Sequence, residues 1–482
     1  MDIQAECPAL SALKHRWQWK AAAALLVTLF LMATFLSQNE HYRTAFVTIA
    51  RIGAILALLD RRAAMILLIG IPAMDGYASG YQLALPAAAI VGEGYRLLRQ
   101  RSSLPATATG LDAGVALFAS AILISIPFAV DPNTSTMAAV RVLALVLTYA
   151  FASRVMLDSV TMQTAVRSFA GVGAYSALIA WGQSVVPGFP VPALEAYPTG
   201  ATFPALRASA FYENPNTLAV LLLPAALISL EQAMSALRVH RHRAAAGWLT
   251  YVVLTATAIG LTLSRAAFIG LVVGALLLVV MRAKITVRLA VSVVLVLMAT
   301  SVMLWNTGIG DRALSIVSFS EDPSSMDRVY LSQVSIRMFI DHPLTGVGLS
   351  GIPTAYVDYR DPRIAVDVTD GHQMVFSIPA ETGVLGLLAQ VLIIVSLLKA
   401  ATQARRHRNR SVPPVAGIAA SLAFAAMSFF NYFLMFHAFW FALALAGAYA
   451  ANLQQQGARE GCGRPVASRH RAATVTRPVA RS

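Results

Sequence analysis

Charged side chains are scarce in this sequence of 482 residues, because Asp, Glu, Lys and Arg together make up only 12% of it. A soluble globular domain carries about 25% of such residues. Hydrophobic residues reach 57% and the mean hydropathy is +0.65. A water-soluble protein of one or several domains is therefore excluded.

Cysteine is almost absent as well. The two cysteines, Cys7 and Cys462, lie in the two terminal tails. Their number and placement exclude a disulfide framework and a cysteine-based zinc site.

Long apolar runs, in contrast, recur along nearly the whole chain. They lie near 21–37, 44–59, 63–74, 82–95, 111–129, 137–153, 168–186, 216–231, 247–263, 266–281, 289–304, 373–398, 415–432 and 435–452. A membrane-spanning helix needs about 20 apolar residues. The sequence therefore predicts an all-α polytopic membrane protein with about 12–14 transmembrane helices.

Two of these runs need a separate interpretation. The run at 63–74 is too short to span a bilayer alone and can pair with 82–95 as a re-entrant unit. The first run follows Lys14, Arg16 and Lys20, but no small-residue cleavage site follows it. We therefore expect an uncleaved membrane anchor.

The positive charges predict the orientation. With a cytoplasmic N-terminus, 27 of the 37 Lys and Arg residues fall in cytoplasmic segments, including six in the tail 453–482, which we expect to be disordered. This bias follows the positive-inside rule and places both termini in the cytoplasm. The net charge of +14 is then a topology signal and a patch for membrane lipid, so we expect no nucleic-acid partner.

Two extracytoplasmic segments are much longer than the other connections, at 187–215 and at about 305–371. The second contains short helices, including an amphipathic one from Ser325 to Asp341. Loops longer than about 15 residues are usually functional or disordered. Any chemistry is therefore expected on the extracytoplasmic side.

Charged residues next to the hydrocarbon mark candidate sites, and two arginines stand out. Arg265 lies between two apolar runs with almost no loop, and Ser264 is predicted to cap the helix that begins there. Arg207 precedes Asn214 and Pro215, which have the types expected for an N-cap and the first residue of a helix. An ordinary lipid-facing or loop arginine is the alternative in each case.

His372 opens another apolar helix at the end of the long segment. Because a helix N-terminus disfavours a second positive charge, we expect a neutral imidazole that can act as a base. The helices starting near 216, 266 and 373 all enter from the periplasmic side, so Arg207, Arg265 and His372 are predicted to surround one pocket. Such a pocket suits a diphosphate, which arginines bind through paired charge-assisted hydrogen bonds.

Four motifs then resemble those of the O-antigen ligase and polymerase family. The strongest is His372-Gln373, followed after nine residues by Gly383-Val384-Leu385-Gly386. The others are the segments Phe211-Tyr212-Glu213-Asn214-Pro215-Asn216, Ser264-Arg265-Ala266-Ala267-Phe268 and Asp341-His342-Pro343-Leu344-Thr345-Gly346-Val347-Gly348. They occur in the family's order over about 205–400.

The resemblance implies a GT-C-like fold and an inverting, metal-independent glycosyltransferase without cofactors. It also implies that the protein lies in the bacterial inner membrane, with its active site on the periplasmic side. Its donor would be a glycan on undecaprenyl diphosphate, a polyprenyl diphosphate. Arg207 and Arg265 would hold the diphosphate and His372 would activate or position the acceptor hydroxyl. Further substrate contacts are expected from Asn214, Asn216, Ser264, Gln373, Arg328 and Arg337.

The predicted organisation has four parts. They are N-terminal transmembrane helices (1–186), a catalytic region (187–400), C-terminal transmembrane helices (401–452) and the basic tail (453–482). Lipid A-core is the leading acceptor, which describes an O-antigen ligase. A lipid-linked glycan as acceptor would instead describe a polymerase of O-antigen or exopolysaccharide, and a protein acceptor is a third choice. A transporter or flippase is the remaining class, although the chain shows no evident internal repeat of the kind common in transporters.

Overall fold

The structure is a computed structural model and describes residues 18, 20–29, 31, 51–70, 84–100, 108–189, 207–212, 214–282, 323–362, 364, 368, 371–407 and 414–462. These residues form α-helices joined by turns, with no strand among them. In chain order the principal helices are α1 (Arg61–Gly70), α2 (Ala84–Gln100), α3 (Gly110–Ser125), α4 (Pro132–Val155), α5 (Ser159–Val185), α6 (Pro215–Arg238), α7 (His242–Leu261), α8 (Arg265–Arg282), α9 (Pro323–Asp341), α10 (Ile352–Ala355), α11 (Met374–Arg406), α12 (Ala416–Met427) and α13 (His437–Cys462).

The prediction of an all-α polytopic membrane protein is confirmed. Within the described residues, six helices are long and apolar enough to cross a membrane, namely α3 with its 3-10 extension to Phe128, α4, α6, α7, α8 and α11. The predicted run at 289–304 lies outside the described residues. The total of about 12–14 spans therefore stays a prediction.

The short run predicted at 63–74 forms the ten-residue helix α1, whose residues from Ala63 to Gly70 are all buried. Arg61 Nε donates to Glu93 Oε2 over 2.7 Å and so joins α1 to α2. The two predicted partners therefore contact each other. Their re-entrant connection, 71–83, lies outside the described residues.

Helix α6 is the centre of the bundle. Buried residues make up 89% of its most apolar window, against 28% for α7 and 22% for α11. It packs against α5, α7, α8 and α12. Of the six long apolar helices, α6 is therefore the most enclosed, and its position determines where its neighbours lie.

Polar side chains fix where several helices begin. Thr109 and Asp112 form a reciprocal capping box on α3, and Asp158 caps α5. Asp131 caps α4, and hydrogen bonds from the Thr134 hydroxyl and amide hold the pKa of the Asp131 carboxyl below its ordinary value. A capping oxygen satisfies backbone N–H groups that have no partner inside the helix.

The antiparallel course of the helices places the motifs of the sequence at one end of the bundle. This end, called the motif end, comprises the segments at 129–131, 207–212, 262–264, 342–351, 371–373 and 428–436. Backbone bonds join several of them, for example Val130 N to Val347 O at 3.0 Å and Ala208 N to Leu261 O at 3.1 Å. The turns at 156–158 and 239–241 and the start of α12 lie at the opposite end.

The C-terminal prediction is wrong for ten residues. Helix α13 continues to Cys462, whereas 453–482 was expected to be a disordered tail. The added segment contains Gln454, Gln455 and Gln456, and glutamine is among the better helix formers, so the helix continues beyond its apolar part. Residues 463–482 lie outside the described part of the chain.

Candidate active site

The segment before α6 is shaped by Gln183 on α5. Its side-chain oxygen accepts from the backbone N–H groups of Ser209 and Ala210 at 3.1 and 2.9 Å, and its nitrogen donates to the Ala210 carbonyl. Gln183 is buried, with 6% exposure. Three hydrogen bonds from one buried amide fix the backbone that follows Arg207.

Arg207 joins two of the motifs. Its Nε donates to the Thr262 carbonyl at 2.9 Å, and its terminal NH2 group donates to Asn216 Oδ1 at 3.3 Å. Thr262 ends α7 three residues before Arg265, and Asn216 lies in the first turn of α6. The structure therefore brings Arg207 and Asn216 together beside the turn that leads to Arg265.

Asn214 has the predicted capping role. Its backbone is extended, its side chain accepts from the Asn216 N–H at 2.8 Å, and Pro215 is the first residue of α6. The backbone N–H of Asn216 therefore donates to the capping residue Asn214, while the side-chain oxygen of Asn216 accepts from Arg207.

The predicted cap at Ser264 is wrong. Helix α8 begins at Arg265 as expected, but the buried Ser264 hydroxyl has no hydrogen-bond partner in the part of the chain that the structure describes. The Ser264 N–H donates to the Thr262 hydroxyl at 3.3 Å, and Leu263 has a φ of 54°. A turn of this shape directs the Ser264 side chain away from the first N–H groups of α8.

His372 stands in a left-handed backbone conformation, with a φ of 51°, directly before α11. Its imidazole is half-buried. The following residues are held by the turn after α12, because Met374 N donates to Asn431 O and Val375 N donates to Ser428 O, each at 3.2 Å. Gln373 adds a bond from its side-chain nitrogen to the Phe429 carbonyl at 2.9 Å.

Gly383, the first glycine of the histidine motif, determines the shape of α11. Gly383 interrupts α11 with a φ of 67° and a ψ of −159°. A methyl group at this position would collide with the Leu344 carbonyl. Only glycine adopts such a backbone without strain, so the break requires it.

The segment 342–348 docks on this break. Val347 N donates to Ala380 O at 2.8 Å, Gly348 N to Glu381 O at 3.0 Å, and Val384 N to Pro343 O at 2.8 Å. Two of the family-like motifs therefore form one unit, which holds the first turns of α11 in place.

Contacts through α12 connect this unit to α8. A side chain at Gly270 of α8 would collide with Met427, the last residue of α12, and would also meet Leu223 of α6. The next residue, Ser428, accepts from Val375 of α11. The beginnings of α6, α8 and α11 therefore belong to one packed end, while a pocket shared by Arg207, Arg265 and His372 stays a prediction.

Arg328 and Arg337 lie on α9, which packs on the first part of α11 through Val334 and Met338. Arg337 is exposed and Arg328 is half-buried. Beyond α9, Tyr359 donates to Asp341 at 2.8 Å, and burial together with this bond raises the pKa of Tyr359 to about 12. The roles of the two arginines in binding substrate stay predictions.

A small cavity of about 30 Å³ lies behind the first turn of α6. Its lining is apolar apart from Tyr212, Thr217 and His437, and Nε2 of His437 has no partner among the described residues. A space of this size holds about two water molecules, not a sugar. Among the described residues no group of three or more His, Cys, Asp or Glu side chains is placed to hold a metal ion.

Three features of this region were not predicted from the sequence. They are the hydrogen bonds of Gln183, the interruption of α11 at Gly383 and the contact of Asn431 with the start of α11. A glutamine in an apolar helix is a signal that was available for Gln183, because a buried amide needs partners. The other two depend on contacts between distant segments.

Part of the chain is similar to a known protein family. Residues 250–391 match the family model described as O-Antigen ligase. The matched range contains Arg265, His372 and Gln373 but not Arg207 or Asn216. No curated protein matches the chain. The match supports a function of the O-antigen ligase and polymerase type in general.

Proposed function

We propose that this membrane protein, whose residues 250–391 match the O-antigen ligase family model, transfers a glycan from undecaprenyl diphosphate to an acceptor hydroxyl on the periplasmic side of the inner membrane. The leading acceptor is lipid A-core. The reaction is inverting and requires neither metal nor cofactor.

The observation that carries this proposal is the position of Arg207. Its guanidinium bonds to Thr262 and Asn216, which are 55 and 9 residues away in the chain. These two bonds hold the guanidinium beside the turn that leads to Arg265. Together with Arg265, Arg207 is suited to bind a diphosphate through several charge-assisted hydrogen bonds.

The chemistry follows from these groups. The acceptor hydroxyl attacks the anomeric carbon, a new C–O bond forms, and the bond to the diphosphate oxygen breaks with its electron pair leaving on the diphosphate. His372 takes the proton of the hydroxyl, while the two arginines stabilise the negative charge of the leaving group. Attack opposite the leaving group inverts the anomeric configuration.

The periplasmic placement rests on charge. The motif end lies opposite the loops that carry the excess of Lys and Arg, such as 399–412 with its five basic residues. The positive-inside rule assigns these loops to the cytoplasm. The same assignment leaves both termini in the cytoplasm.

Deletion of the protein tests the function and its acceptor. A ligase predicts loss of long-chain lipopolysaccharide with accumulation of lipid-linked polymer. Accumulation of single lipid-linked repeat units would instead identify a polymerase of O-antigen or exopolysaccharide. Unchanged envelope glycans would contradict the proposal.

The purified protein tests the reaction directly. Incubated with an undecaprenyl-diphosphate-linked glycan and lipid A-core, the wild-type chain is expected to form the joined product and release the lipid diphosphate. Movement of the lipid-linked glycan across a vesicle membrane without transfer would identify a flippase and overturn the proposal.

A further inference from the structure

The segment that carries Arg207 is held by two different helices. At the end of α7, the Leu261 carbonyl accepts from Ala208 N at 3.1 Å, and the Thr262 carbonyl accepts from Arg207 Nε at 2.9 Å. From α5, the Gln183 amide makes three hydrogen bonds to the two residues that follow, at 3.1, 2.9 and 3.1 Å. The segment is therefore fixed between the ends of α5 and α7.

Ala210, one of these two residues, stands in a backbone conformation that non-glycine residues rarely adopt, with a φ of 49°. Such a conformation is unfavourable and persists only where the surrounding structure enforces it. Gln183 does so directly, because its amide bonds to both the N–H and the carbonyl of Ala210. Both residues are buried, with exposures of 6% for Gln183 and 3% for Ala210, so water is poorly placed to replace these bonds.

The conformation of Ala210 determines where the chain goes next. The residues after it lead to α6, where Asn216 Oδ1 accepts from the terminal NH2 group of Arg207 at 3.3 Å. Hydrogen bonds from nitrogen to oxygen are usually about 2.7–3.2 Å long, so this bond is already at the long limit. A small shift at the start of α6 would therefore break the contact between Arg207 and Asn216.

Trp181 joins the same two helices by a different contact. Its Nε1 donates to Thr257 Oγ1 at 3.1 Å, one turn before the end of α7. Trp181 therefore contributes to the packing of α5 against α7, whereas Gln183 bonds to the segment that carries Arg207. Because the two side chains are two residues apart on α5, Trp181 provides a matched control for Gln183.

We propose that Gln183 is a positioning residue for the glycan donor. By holding Ala210 in its left-handed conformation, it keeps Arg207 and Asn216 in contact, and so keeps the Arg207 guanidinium where it binds the donor diphosphate. Gln183 itself does not touch the substrate. The inference rests on the proposed function and adds to it a residue of α5, outside the matched residues 250–391.

The test measures donor binding and acceptor use separately in the full-length protein. Donor binding is measured as the Kd for undecaprenyl diphosphate, and acceptor use as the KM for lipid A-core in the transfer assay. Gln183→Met keeps the length of the side chain but removes its amide. It is expected to raise the Kd about tenfold, the effect of losing one hydrogen bond to a charged group, and to leave the KM for lipid A-core unchanged.

A double variant shows whether Gln183 acts through Arg207. Residues that act on a ligand as a unit have non-additive effects, whereas independent residues have additive ones. In an Arg207→Ala background, Gln183→Met is therefore expected to change the Kd less than twofold. The same tenfold increase in both backgrounds would overturn the inference. Binding is the readout because it does not require the Arg207→Ala protein to be active.

Trp181→Phe is the matched control, since it removes the bond to Thr257 and retains an aromatic ring. It is expected to lower the Tm and to leave the Kd at the wild-type level. Gln183→Glu provides a second variant in case Gln183→Met does not fold, because a carboxylate can still accept from both backbone N–H groups. It loses only the bond to the Ala210 carbonyl and is expected to raise the Kd about threefold.

Two further outcomes would overturn the inference. They are an unchanged Kd in the folded Gln183 variants, even with a lower Tm, and an equal increase of the Kd in Trp181→Phe, either of which would leave Gln183 with a role in packing alone. If the wild-type protein binds no undecaprenyl diphosphate and transfers no glycan, the proposed function fails and the positioning role fails with it. Binding and transfer by the wild type therefore separate the two failures.

Discussion

The two ends of the bundle use arginine in different ways. At the opposite end, Arg282 and Glu231 pair at 2.7 Å, and the same carboxylate accepts the backbone N–H groups of Val415 and Ala416 at 2.9 and 2.8 Å. At the motif end, Arg207 donates to a carbonyl and an amide. The first arrangement is an ion pair, whereas these two bonds orient the Arg207 guanidinium through a backbone carbonyl and a side-chain amide.

Charged side chains can have two roles in a membrane protein, which are to stabilise the packing of helices and to bind a charged ligand. The buried pair of Arg282 and Glu231 stabilises one packing of helices, and Arg154 with Asp112 forms a second, half-buried pair at 3.1 Å. An anion site instead needs positive charge held in place by groups that do not compete with the ligand. Substitutions at the two ends should therefore affect different properties.

The largest effect is expected on activity at the motif end. His372→Ala and Arg265→Ala should each lower the rate of glycan transfer by about 10²–10³-fold, since each removes a group that acts on developing charge. Arg243→Ala, an exposed arginine at the start of α7, is the control. Membrane abundance on immunoblots should be nearly unchanged in all three.

Near-normal glycan in either motif-end variant would contradict the roles assigned here. Arg265→Lys would sharpen the result, because lysine keeps the charge but loses the planar fork that binds phosphate oxygens in pairs. Its activity should lie between those of Arg265→Ala and the wild type.

The next effect is on stability at the opposite end. Glu231→Ala leaves Arg282 buried without its carboxylate, and such a loss costs about 3–5 kcal/mol of the free energy of unfolding. Thermal unfolding in detergent should show a lower Tm, while the KM values of the remaining folded protein stay at the wild-type level.

Glu231 contributes to stability through its ion pair with Arg282 and through its hydrogen bonds to the start of α12, and a double variant separates these two contributions. Glu231→Leu with Arg282→Met removes both charges and should recover part of the lost stability, although the N–H groups of Val415 and Ala416 stay unsatisfied at about 1–3 kcal/mol. A double variant no more stable than Glu231→Ala would show that the capping of α12, and not the ion pair, dominates this end.

A smaller effect on both properties is expected where α11 breaks. Gly383→Ala places a methyl group against the Leu344 carbonyl in a backbone region that non-glycine residues avoid, at a cost of about 1–3 kcal/mol. Because the break holds the first turns of α11, transfer should fall as well. Gly94→Ala is the control, since a methyl group there meets no atom within 4 Å; equal effects of the two changes would contradict the role of the break.

These comparisons also show how far the sequence alone could lead. The start of α6 at Asn214 and Pro215, and helix α9 within two residues of its predicted limits, follow from local signals. The pairing of Glu231 with Arg282 and the docking of 342–348 on Gly383 join segments more than 30 residues apart, and no local pattern encodes such contacts. Ser264 failed as a cap for a related reason, because the turn at Leu263 overrides the usual preference of serine.

The smallest expected effect is that of a chelator. In the proposed reaction Arg207 and Arg265 stabilise the negative charge of the leaving diphosphate. In many other enzymes that bind diphosphates a divalent ion has this role. Transfer by the purified protein should therefore change less than about twofold when EDTA is added, a difference well under 1 kcal/mol in the barrier. The same assay on Arg265→Ala should show no rescue by Mg²⁺ or Mn²⁺. A strict requirement for a divalent ion in the wild type would contradict the proposal. It would mean that Arg207 and Arg265 do not by themselves stabilise the charge of the leaving diphosphate.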